Sequence, residues 1–145
     1  MISANDADDR VAQLTALTQR LTGLLAAEAA SFEARRPQDA AANAEETARL
    51  ANLYRHESLK VKSDPSLVEG APTELKEKLV AATRAFDAVL ARHGRAVEAA
   101  KTITEGLIRA IAEEVHKQRH AVTGYGPKAM QAPRPATPVA LNRRA

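Results

Sequence analysis

From Thr73 to His120 the chain runs 48 residues without a proline. Across that stretch a mostly apolar series returns every three or four positions: Leu75, Leu79, Ala82, Phe86, Val89, His93, Val97, Ala100, Thr104, Leu107, Ile111 and Val115. Residues so spaced share one face of an α-helix. One helix is therefore expected over about 73–120, roughly 70 Å long at ~1.5 Å per residue. Its rhythm alternates four and three to His93, then takes two steps of four around Gly94. A step of that kind locally unwinds a coiled-coil seam.

A rod with one apolar face needs companions, and two more helical stretches precede it. The first is expected over about Asp6 to Arg35. Leu14, Thr18, Leu21, Leu25, Glu28 and Phe32 form its stripe, which Val11, Leu17 and Leu24 widen. Asn5 or Asp6 can cap its start, and Asp8 and Asp9 suit the positive end of the helix dipole. Pro37 then disfavours helical geometry at Arg36. A turn near Arg35–Gln38 is expected, with a second helix over about 39–62; the rival is a single rod kinked at Pro37. The second stripe is Ala40, Ala44, Thr47, Ala51, Tyr54 and Val61, flanked by Leu50 and Leu53. Asp64-Pro65, Gly70 and Pro72 mark residues 63–72 as a loop. Thr73 is expected to cap the third helix, with Lys76 in the slot that a capping box gives to Glu or Gln.

Composition agrees with thin helices. Of the chain's 145 residues, 65 are hydrophobic, and alanine supplies 32 of those. A round globule needs bulky side chains to reach interior packing density, whereas alanine lets helices approach closely and favours the helix itself. The expected fold is all-α: an elongated antiparallel bundle or coiled coil of three long helices over residues 1–126. Residues 127–145 hold four prolines and four basic side chains with no acid, the composition of a disordered tail.

Charge narrows the partners. Residues 1–120 carry 17 basic and 18 acidic side chains, so the net +3 of the chain arises in the tail. A nucleic-acid binder needs a basic face on its folded body, so no nucleic-acid partner is expected. The absence of cysteine excludes disulfides and fits a reducing compartment. Met1 to Arg10 lacks the apolar core of a secretory signal. The longest uncharged apolar stretch, Leu21 to Ala27, is too short to cross a bilayer. A soluble, cytoplasmic protein is expected.

No residue set reads as an active site. His116 and His120 stand four apart, one turn after Glu113, but they read as a solvated helix end whose histidines suit the dipole. His93 on the seam raises a phosphotransfer module, against which the register turns it toward the core. Glu45–Glu46 and Glu113–Glu114 are adjacent and point to different faces. Nucleophile elbow, phosphate loop and dinucleotide fingerprint are all missing. The expectation is a non-enzyme without metal or cofactor.

What remains is apolar surface. Two shorter helices, roughly 45 and 36 Å long, cannot cover a 70 Å one. Ile103, Leu107, Ile108, Ile111 and Val115 are expected to lie beyond their reach and to receive a partner's helix; the alternative is a structural or regulatory homodimer through the same stripe.

The layout resembles the FlgN-type flagellar export chaperones. The matching features are Leu24-Leu25-x-x-Glu28 in the opening helix, the Arg36–Asp39 turn, Glu45-Glu46 through Tyr54, and the long third helix ending at Gly124-Tyr125-Gly126. That resemblance, over residues 8–126, implies a cytoplasmic chaperone. It would hold the terminal amphipathic helices of hook–filament junction proteins and deliver them to the flagellar type III export apparatus. It also implies that binding lies toward the C-terminal end, adding Val122 and Tyr125 to the stripe.

Overall fold

The structure, a computed structural model, describes residues 2–123. They fold as four α-helices and a 3-10 segment, with no strand among them: α1 (Ala7–Glu33), the 3-10 segment (Pro37–Asn43), α2 (Ala44–Ser63), α3 (Ser66–Glu69) and α4 (Thr73–Thr123). The all-α class is as expected. The fourth helix is a correction: α3 is a single turn inside the expected loop, opened by Asp64, whose Oδ1 accepts from the Ser66 amide and hydroxyl. The chain divides into two compact units, Met1–Lys101 and Thr102–Ala145.

In the first unit, α1 begins at Asp6, whose side chain accepts from the Asp9 amide at 2.9 Å. It buries Val11, Leu14, Leu17, Thr18, Leu21, Leu24, Leu25 and Ala29. Thr18 can sit inside because its hydroxyl donates to the Leu14 carbonyl at 2.7 Å, leaving no orphan polar atom. The helix ends in a Schellman motif. The Arg36 amide donates to the Ser31 carbonyl and the Arg35 amide to the Phe32 carbonyl, and Arg35 takes the left-handed conformation at φ 60°. Pro37 follows. The expected turn is there, but the next seven residues wind as a 3-10 segment, so α2 starts at Ala44 and not near 39.

Ion pairs between helices fix their directions. Arg10 meets Glu57 and Arg20 meets Glu46, so α2 runs back along α1. Gly70 lies against Ala7, while Arg92 meets Glu33 and His93 meets Glu28. The first half of α4 therefore runs alongside α1 in the same sense. The core of this bundle is Leu17, Leu21, Leu24, Leu25, Leu50 and Phe86, edged by Ile2, Leu53, Tyr54 and Val89. The Tyr54 and Phe86 rings meet at 4.7 Å between centroids, tilted by 40°.

Two details of α4 differ from the sequence reading. The Lys76 amide donates to the Pro72 carbonyl, so Thr73 is the first helical residue and not the cap. The seam keeps its alternation past Gly94: Ala82, Phe86, Val89, His93, Ala96 and Ala100 are all buried or half-buried, and Val97 stands at the rim, 37% exposed. The seam thus passes Gly94 without a shift, with Ala96 and not Val97 on the covered side.

Candidate interaction surface

In the second unit every residue from Thr102 to Ala121 is exposed. Nothing in the local sequence opposes helix there, since alanine, glutamate, arginine, lysine and leucine carry it. Five large apolar side chains project from this stretch: Ile103 at 51%, Leu107 at 59%, Ile108 at 62%, Ile111 at 55% and Val115 at 42% exposure. Single exposed apolar residues are ordinary, but five within thirteen positions make a patch of a few hundred Å², the scale that marks an interaction site. All five are residues singled out from the sequence. The side chain of Val122, Tyr125 and the tail 127–145 lie outside the described residues.

Polar chemistry around the stripe is sparse. Glu105, Arg109, Glu113, Glu114, Lys117 and Arg119 balance in charge and are all exposed. The His116 and His120 rings stack with centroids 5.5 Å apart. Among the described residues no three His, Cys, Asp or Glu side chains come together as a metal-binding group. His93 sits elsewhere, in the first unit. Its Nε2 lies 3.2 Å from Glu28 Oε1 and its ring meets Phe32 edge-on at 6.2 Å. Only 20% of its side chain is exposed. Glu28 Oε2 is buried without a partner.

The most buried polar group was not foreseen. Glu57 is fully buried and accepts from the Ile2 amide at 3.0 Å and from Arg10 Nη1 at 3.2 Å. It ties the N-terminal segment and α1 to α2. A signal existed: Glu57 stands three after Tyr54 and four before Val61, on the second seam, and Arg10 stands four before Leu14, on the first. Charges of opposite sign at seam positions of neighbouring helices point to an internal pair. At the other end of α1, Arg92 donates to Glu33 and holds its carboxyl below the usual range, while Glu33 raises the Arg92 guanidinium. Burial raises the Tyr54 phenol.

No helix of the described residues is long and apolar enough to cross a membrane. No family model matches the chain, and no solved structure does. A curated protein of Caulobacter vibrioides, the flagellar basal-body protein FlbY, is 56% identical over 147 residues, covering 99% of each chain. The chain belongs to the FlbY family. FlbY thus matches both units at once, the bundle and the stretch that carries the exposed stripe. No family model supports the FlgN-type resemblance.

Proposed function

We propose that this protein is a non-catalytic flagellar protein that works in the cytoplasm as an export chaperone. On this reading the exposed stripe of α4 receives the terminal amphipathic helix of a hook–filament junction subunit. The observation that carries it is the row Ile103, Leu107, Ile108, Ile111 and Val115, each 42–62% exposed on one helix. An amphipathic client helix laid on that row would cover its own apolar face, which otherwise drives aggregation. The flagellar setting is supported by the kinship with FlbY, a flagellar basal-body protein. The balanced charge along the stripe disfavours a phosphate-rich partner.

The same name favours a second reading, a structural part of the basal body itself. Deleting the gene separates the two. A chaperone's loss leaves basal bodies and hooks assembled but removes junction subunits from the culture medium. Loss of a structural part stops assembly earlier, and the protein copurifies with basal bodies from the parent strain. Normal export of junction subunits in the deletion strain would end the chaperone reading.

A further inference from the structure

The stripe of α4 holds two apolar rows, and only one of them continues the seam of the bundle. Extended beyond Ala100 with the same alternation, that seam passes through Ile103 and Leu107 and then lands on Ala110 and Glu114. Apolar bulk moves instead to a row in a new register: Thr104, Ile108, Ile111, Val115 and Gln118, spaced 4-3-4-3. A seam that changes register in this way is built for a different neighbour from the first one. We infer that this neighbour is a second copy of the same chain, joined through a short coiled coil of residues 104–118 and their flanks.

Three features fit a self-pair. In heptad terms Ile108 and Val115 occupy a and Ile111 occupies d, three successive layers of β-branched side chains. Thr104 and Gln118 bracket those layers with polar side chains, which fix register at some cost in stability. The area also suffices. A patch of a few hundred Å², with Ile103 and Leu107 already counted in it, approaches the roughly 1,000 Å² that a specific interface needs once a two-fold axis doubles it. It does not greatly exceed that figure, so the pair should form in a concentration-dependent way.

The charges beside the row complement themselves. Glu105 and Arg119 hold e positions and Glu114 a g position, and all three are exposed. With the helices parallel, Glu114 of one copy faces Arg119 of the other; with the helices antiparallel, Glu105 faces it. Arg119 meets a carboxylate in either direction. Self-pairing and client binding use one face, so a client must displace the second copy. A monomer that still exports junction subunits would overturn this inference and leave the chaperone reading standing.

The test is the mass of the purified full chain by sedimentation or light scattering over rising concentration. The expected result is a shift from 15.5 kDa to twice that mass. Ile111→Asp should remove the shift while circular dichroism reports unchanged helix, and Arg119→Glu should weaken association several-fold. Restoration by adding Glu114→Arg marks parallel pairing, and restoration by adding Glu105→Arg marks antiparallel pairing. A chain that stays at 15.5 kDa up to millimolar concentration, a dimer that survives Ile111→Asp, or a loss that neither reversal repairs overturns the proposal.

Discussion

Residues 82–100 and 103–115 of α4 have nearly the same apolar spacing and opposite surroundings. Ala82, Phe86 and Ala96 are buried; Ile103, Leu107 and Ile111 stand more than half exposed. Side-chain size does not separate the two, since the large Phe86 is buried and the equally apolar Ile111 is not. Periodicity therefore identifies which face of a helix is apolar, and the presence of a neighbour decides whether that face is covered. Midway along the covered segment, Glu33–Arg92 and Glu28–His93 also tie it to α1.

The contrast can be broken most forcefully from the covered side. Glu57→Ala strands the Arg10 guanidinium in the interior and should lower stability by about 3–5 kcal/mol, read from urea unfolding. Replacing both partners with apolar residues, Arg10→Met with Glu57→Leu, should recover most of that loss, since an ion pair removed whole leaves no orphan charge. Leu21→Ala removes three carbon atoms' worth of contacts at a site 1% exposed, and should cost about 2–5 kcal/mol. A loss under 1 kcal/mol at both Glu57 and Leu21 would mean that the bundle is not the rigid half.

On the exposed side the expectation reverses. Leu107→Asp with Ile111→Asp should leave helix content and the urea midpoint of dilute protein nearly unchanged, within about 0.5 kcal/mol per site, while abolishing partner capture. Unfolding of this variant would show that the stripe is core. Arg35→Gly tests the joint between α1 and α2. It relieves about 1–2 kcal/mol of left-handed strain and loses roughly 0.5–1 kcal/mol to glycine's freer unfolded chain, so melting should rise slightly. The smallest effect is acidic. Hydrogen bonds from Arg92 to Glu33, and from the Gln13 side chain to Asp9, hold both carboxyls below their ordinary values. Their stabilisation is complete above those ordinary values and is lost as pH falls through the lowered ones. Glu33 is exposed and Asp9 only half-buried, so the acid limb of a stability–pH curve should flatten only slightly in Glu33→Gln.

Much of this was legible along the chain. Pro37, Pro65 and Pro72 set the breaks, alanine and leucine set the helices, and the first stripe named most of the residues α1 buries, Arg10 and Ala29 apart, because repeat spacing and chain breakers are local properties of the backbone. The stripe from Ile103 to Val115 was legible for the same reason, and its exposure follows from helix lengths that can be counted. The seam positions of Glu57 and Arg10 hinted at an internal pair, but only the tertiary structure decided how closely they meet, that Ala96 and not Val97 faces the bundle, and that residues 37–43 wind more tightly than an α-helix. Each of those outcomes depends on what a neighbouring helix offers at one point, a charge, a gap or a carbonyl, and spacing along one strand of sequence carries no record of its neighbour.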